Sequence, residues 1–219
     1  GLGGSVLVAR ARPRNATGPA WLTVHANAAL RGFVLLHDDV DAAAPVEPRP
    51  PDVRLTGNSA AVSDVELLNA YHGIRADGAH RHIISRVLGQ PTDVGVSVDH
   101  TYDIGRIEDV HFNPWWSTAK EYTRHQLLHG RAFVFARSDW EYVTNTFAFG
   151  YAVCYEFVQS DKGAMNGQLS GAGGDLCVNA SVRAYATQPM GLQFTNGEFT
   201  AFRGDWIGDV RGGGGGGGG

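Results

Sequence analysis

A repeat of 22–23 residues constrains this chain more than any other feature. Val62-Ser63-Asp64-Val65-Glu66-Leu67 is followed 22 residues on by Ile84-Ser85-Arg86-Val87-Leu88-Gly89. A further 23 residues on comes Ile107-Glu108-Asp109-Val110-His111-Phe112. A second landmark keeps the same time: Gly73-Ile74-Arg75-Ala76-Asp77 returns 22 residues later as Gly95-Val96-Ser97-Val98-Asp99. One coil of a parallel β-solenoid needs three short strands plus turns, roughly 20–25 residues. Alternate strand residues point inward and equivalent residues stack about 4.8 Å apart. The spacing therefore predicts one interior column of Val62, Ile84 and Ile107 and another of Val65, Val87 and Val110. A single coil cannot bury its apolar face; stacked coils can. The expected fold is all-β, a right-handed parallel β-helix with one inserted helix.

The two cysteines extend the pattern. Cys154 and Cys177 lie 23 residues apart, as do Gly150 and Gly173, and Thr146 and Leu169. On the repeat each pair is one coil apart, so the cysteines stack. They form either a disulfide, which suits a secreted protein, or two free thiols filling a core position.

Breaks in the repeat mark insertions. Residues 38–52, with Pro45, Pro48, Pro50 and Pro51, read as a loop that no central strand tolerates. Residues 113–131 hold the one helical pattern, near 117–129. There Thr118-Ala119-Lys120-Glu121 reads as a capping box and Gly130 as the stop. Trp21 to Val24 and Ala29 to Leu35 read as early strands, Ala132 to Phe135 resumes the repeat, and Leu192 to Phe199 adds another strand and turn. Residues 1–211 are expected to form one domain. The eight glycines of 212–219 read as a tail or linker.

Composition narrows the function. Charged residues make up 18% and the net charge is −4, which argues against nucleic acid as a partner. No stretch nears the ~20 apolar residues of a membrane span. The first residues carry no apolar signal segment, so a secreted protein is expected here in mature or truncated form. Two sequons, Asn15-Ala16-Thr17 and Asn179-Ala180-Ser181, are candidate glycosylation sites.

Ala29-Leu30-Arg31-Gly32-Phe33, Gly73-Ile74, and Ile104-Gly105-Arg106-Ile107-Glu108-Asp109-Val110-His111-Phe112-Asn113-Pro114-Trp115-Trp116 resemble segments of pectate-lyase-superfamily β-helix proteins. Thr144-Asn145-Thr146-Phe147, Phe149-Gly150-Tyr151 and Leu192 to Phe199 add to the resemblance, which spans residues 29–203. It implies a right-handed β-helix similar to polygalacturonases and rhamnogalacturonan-active enzymes, with a polysaccharide or glycan as partner. It also implies a start inside the domain, because the Asp-Asp-Thr motif and capping helix of those proteins have no counterpart here. Their catalytic motifs are missing too: Asn145-Thr146 is followed by Phe147 instead of an Asp, and no Asp-Asp, Gly-His-Gly or Arg-Ile-Lys follows. Nor does any segment match the carboxylate clusters of calcium-dependent pectate lyases.

Glycoside hydrolysis needs two carboxyls about 5–9.5 Å apart. Glu108 and Asp109, beside Trp115 and Trp116, and Asp139 and Glu141, flanking Trp140, are the candidate catalytic acids. Exposed Trp115, Trp116 and Trp140 would stack on sugar rings, and Arg106 would hold a carboxylate. The tryptophans can instead pin the helix, Asp109 can cap a turn and Glu141 can be a solvated strand residue. His125 and His129 share a helix face in a spacing that can hold zinc, but an ordinary helix face is the favoured reading, and neither metal nor cofactor is expected. Two functions follow. The first is a non-catalytic extracellular glycan-binding or structural protein, self-associating in a filament or sheath. The alternative is a polysaccharide hydrolase or lyase.

Overall fold

The computed structural model describes residues 4–10, 15–41, 44–114 and 119–200. In chain order the first strands are β1 (Ser5–Val8), β2 (Leu22–Val24), β3 (Ala29–Leu36), β4 (Pro51–Leu55), β5 (Ala61–Leu68) and β6 (His72–Asp77). There follow β7 (Ile83–Gly89), β8 (Val94–Asp99), β9 (Arg106–Phe112), helix α1 (Lys120–His129), β10 (Arg131–Phe135) and β11 (Glu141–Phe149). The last are β12 (Val153–Phe157), β13 (Gly167–Ser170), β14 (Gly173–Asp175), β15 (Ala180–Ala184), β16 (Leu192–Thr195) and β17 (Glu198–Phe199). Successive strands up to β13 alternate between two sheets, and every strand pair is parallel. One sheet runs β1-β3-β5-β7-β9-β11-β13-β16, with β14 and β17 beside it, and the other runs β15-β12-β10-β8-β6-β4-β2. The fold is all-β, two parallel sheets facing one core.

The long strands of the first sheet turn a corner at one fixed position. Gly32, Asp64, Arg86, Asp109, Asn145, Gly171 and Asn196 all have positive φ, between 50° and 72°. The pairing on either side, such as Ser63 with Ser85 and Val65 with Val87, places them in one column. Left-handed backbone costs an L-residue roughly 1–2 kcal/mol unless it is Gly, Asn or Asp, which explains most of this column. Arg86 is the exception, and its guanidinium is held by both carboxylate oxygens of Asp64 at 2.6 and 2.9 Å. Arg31 binds the same carboxylate at 2.7 Å. These two hydrogen-bonded guanidinium partners hold the Asp64 carboxyl well below the usual range, against the opposing effect of desolvation.

Both predicted columns are present. Val62 pairs with Ile84 and Ile84 with Ile107, while Val65 pairs with Val87 and Val87 with Val110, all fully buried. Each such side chain contributes about 1.5–3 kcal/mol through burial. The opposite sheet supplies Val53, Ile74, Val96, Phe133 and Tyr155. Thr146 continues the valine column, and its hydroxyl is satisfied by Tyr155 Oη at 2.9 Å.

Several sequence expectations need correction. The Pro-rich loop ends earlier than residue 52, because β4 begins at Pro51 and pairs with both β2 and β6. Proline is tolerated there as the first residue of the strand. Helix α1 starts at Lys120 with no side-chain cap at Ala119, and Thr118 of the expected capping box lies outside the described residues. Gly130 ends the helix in extended conformation (φ −64°, ψ 141°), not a left-handed one. Its glycine is required by space: an added Cβ would sit 2.6 Å from the Gln126 carbonyl oxygen and 2.8 Å from that of Thr92.

The disulfide forms, but not between equivalent coil positions. Cys154 and Cys177 are bonded with Cα atoms 5.8 Å apart. In that coil Val153 pairs with Ala180, Val143 with Leu169 and Phe147 with Gly173. The local offset is therefore 26–27 residues, and Cys177 reaches Cys154 from the corner before β15. Gly150 and Gly173, and Thr146 and Leu169, are not stacked.

Candidate functional site

The bend sorts the outward side chains of the first sheet into ladders. Before it, one ladder carries Ile83, Arg106, Tyr142, Gln168 and Gln193, and the next carries Ser85, Glu108, Thr144, Ser170 and Thr195. Beyond it, His111, Phe147, Gly173 and Glu198 follow one another outward. Successive side chains in a ladder sit one strand spacing, about 4.8 Å, apart.

Where the third ladder loses its side chain at Gly173, a groove opens. It holds about 380 Å³ and is lined by Asn145, Phe147, Gly171, Gly173, Asp175, Asn196, Glu198 and neighbours. Its floor is glycine for steric reasons. At Gly173 a Cβ would lie 2.7 Å from the Phe147 ring, and at Gly171 (φ +65°) it would lie 2.9 Å from Asn145 Oδ1. Asn145 and Asn196 flank the floor from the bend column. Their carboxamides each offer a donor and an acceptor. Asp175 and Glu198 add carboxylate acceptors, and Asp175 Oδ1 accepts the Leu176 N–H at 2.7 Å. The Phe147 ring meets His111 edge-on at 5.3 Å. An open groove with a backbone floor, one aromatic wall and mixed donors and acceptors can hold a polyhydroxylated ring.

The acids singled out in the sequence fall into different environments. Glu108 is partly exposed on its ladder, and Asp109 is exposed at the bend, where its Oδ1 accepts from Asn145 Nδ2 at 3.4 Å. Asp109 thus adjoins the groove. Asp139 sits at another corner and accepts from Arg137 at 2.9 Å and Gln188 at 2.6 Å. Glu141 is fully buried: its Oε1 lies 2.9 Å from His82 Nε2 and its Oε2 accepts from Ser138 Oγ. Burial alone would lower the His82 pKa, but the charge and hydrogen bond of Glu141 outweigh it and raise it. Both side chains of this pair are shut off from solvent. Arg106 and Trp140 are near that corner, and Trp140 is half exposed. Trp115 and Trp116 lie outside the described residues.

The remaining candidates are simply placed. His125 and His129 have ring centroids 5.0 Å apart, with His125 3.6 Å from Asp93. Among the described residues no group of three metal-binding side chains forms, and no helix is long and apolar enough to cross a membrane. Asn15 and Asn179 of the two sequons are both exposed, and Asn15 Oδ1 accepts from the Thr17 N–H at 2.9 Å.

Sequence reasoning missed Gly171, Gly173, Asp175 and Glu198. The signal was the Gly171-Ala172-Gly173-Gly174 run, which lacks a phosphate-loop pattern but has glycines where side chains would block a surface. No family model matches the chain, and no curated protein or solved structure matches it either.

Proposed function

We propose that the chain is a right-handed parallel β-helix of the pectate-lyase kind that works outside the cell as a glycan-binding or structural module without catalysis. The observation that carries this reading is the groove, where Asn145, Asn196, Asp175 and Glu198 surround a glycine floor beside Phe147. Alternation of parallel strands between sheets, the shared bend and the Cys154–Cys177 disulfide support the fold and the extracellular setting. Assembly of copies into a filament or sheath belongs to the same proposal. A polysaccharide hydrolase or lyase is the second reading, favoured by two carboxylates, Asp175 and Glu198, in one groove.

One experiment separates the readings. The protein is titrated with oligosaccharides by calorimetry, and the same mixtures are assayed for new reducing ends and unsaturated uronates. Binding without cleavage is expected, weakened about tenfold by Asn196→Gly, since losing hydrogen bonds in a polar site costs on the order of 1–1.5 kcal/mol. Glycine keeps the left-handed bend while deleting the carboxamide. New reducing ends that disappear in Glu198→Gln would establish the enzyme instead, and silence in both assays would remove the glycan reading.

A further inference from the structure

We infer that the groove between Asn145 and Glu198 selects sugar units that are neutral or carry a free amine, and rejects uronates. This rests on the glycan-binding reading and names its ligand class. The resemblance to polygalacturonases would point to an acidic glycan; the charges around the groove point the other way.

Among the described residues, the lining includes two carboxylates, Asp175 and Glu198, and neither an arginine nor a lysine. A third carboxylate, Asp109, touches the Asn145 amide at the rim. The cation nearest along the bend column is Arg86, one coil beyond Asp109, and Asp64 engages it through both oxygens. A bound uronate would therefore meet like charge, with no compensating cation among the described lining residues. An ammonium on the sugar would gain where the uronate loses.

Geometry supports the same ligand class. Gly173 and Glu198 are register partners on adjacent strands, and Asp175 lies two residues beyond Gly173 on the same face. The two carboxylate-bearing residues are thus diagonal neighbours, with backbones about 8 Å apart from the strand spacing and rise. That span fits the substituents of one pyranose ring. Carboxylates accept hydrogen bonds from vicinal hydroxyls and, more strongly, from an ammonium. Asn145 and Asn196 can serve neutral hydroxyls in either sense. The glycine floor lets the ring approach the backbone, where a side chain would lift it away.

The test uses the full chain and three oligosaccharides of equal length: a deacetylated glucosamine oligomer, a neutral glucose oligomer and an oligogalacturonate. Affinities are measured for wild type, for the Asp175→Asn/Glu198→Gln double variant and for Asp161→Asn. The last removes an exposed acid outside the groove lining as a control for bulk charge. Wild type is expected to bind the amine-bearing oligomer at least about tenfold more tightly than the oligogalacturonate, with the gap shrinking at high salt as screening predicts. The double variant should bring the two within about threefold, because the amides keep hydrogen-bonding atoms but lose the charge that separates the two sugars. Asp161→Asn should leave the preference intact. Equal or tighter binding of oligogalacturonate to wild type would overturn the inference and leave the glycan reading standing, as would a preference that survives in the double variant or vanishes in Asp161→Asn. Failure of all three sugars to bind would remove the glycan reading and this inference together.

Discussion

The coils from β4 to β9 and those from β10 to β17 solve the same packing problem differently. In the first set the register steps from Val65 to Val87 to Val110, offsets of 22 and 23 residues. Its core is mainly columns of aliphatic side chains, with Phe112 at its edge. In the second set β10 and β12 keep an offset of 22, but Val143 pairs with Leu169 and Val153 with Ala180, so the following coil lengthens to 26 and 27 residues. There the core switches to stacked rings, with Phe133 on Tyr155 at 4.9 Å and Phe135 on Phe157 at 5.4 Å. The added residues go into corners, and two of the unusual features follow: the disulfide from the corner before β15, and the glycine-floored groove. Minimal coils leave little surface to shape. Longer ones need staples and gain sites.

The seam between the sets offers the largest predicted effect. His82 belongs to the regular coils and Glu141 opens β11 after the helical insertion, yet the two side chains meet with no solvent contact. Glu141→Ala leaves His82 buried beside an empty space, and breaking a buried pair from one side costs about 3–5 kcal/mol. Chemical denaturation should show that loss and a separation of the two sets into distinct transitions. The stabilisation is tied to charged His82. Its raised pKa means the contribution is complete below about pH 6.5, the unfolded value, and is lost as pH rises through the folded value. The variant should therefore differ most from wild type on the acid side. A stable Glu141→Ala protein at pH 6 would refute the seam.

The disulfide comes next and should act on the second set alone. Closing a 23-residue separation stabilises by about 3 kcal/mol in the chain-entropy picture. Replacing both cysteines with alanine is expected to lower stability by about 2–4 kcal/mol. Limited proteolysis should then cut between residues 158 and 200 first, leaving β4 to β9 protected. Uniform loosening would mean that the sets are one cooperative unit. The same contrast explains what could be read from sequence. The regular coils announce themselves because Val62, Ile84 and Ile107 repeat in step. The bend column does not, since Gly32, Asp64, Arg86 and Asp109 share a backbone conformation and not a chemistry. The cysteine pair was found through a 23-residue spacing that only coincides with the repeat, because the local coil is longer. Of the site, Asn145, Asn196 and Glu198 lie within the segments that carry the resemblance, but Asp175 meets Glu198 only once the local offset is known. Glu141 looked like a surface acid because strand alternation does not reveal a buried corner partner 59 residues away.

The smallest effect concerns acid sensitivity within the regular set. His72, at the start of β6, is partly exposed, with its Nε2 3.1 Å from Ser97 Oγ. Burial first, and then the positive charges of Arg75 and Arg131 against the opposing Asp93, push its pKa down to about 4. A histidine whose folded pKa lies below the unfolded value of 6.5 stays neutral in the fold while the unfolded chain takes up a proton. Its contribution is thus complete above about pH 6.5 and is lost as pH falls toward about 4. At 1.36 kcal/mol per unit, reduced for partial exposure, the loss amounts to about 1–3 kcal/mol. Asp64, with its lowered pKa, adds to the acid side in the same direction, so wild type alone does not isolate the histidine. His72→Gln does: it keeps a polar partner for Ser97 but cannot titrate. Thermal melts from pH 7.5 to 4.5 should fall less steeply for this variant, with the difference confined to pH below about 6.5. Parallel curves would show that His72 is hydrated enough to protonate in the fold, and that acid sensitivity resides in the carboxylates of the bend instead.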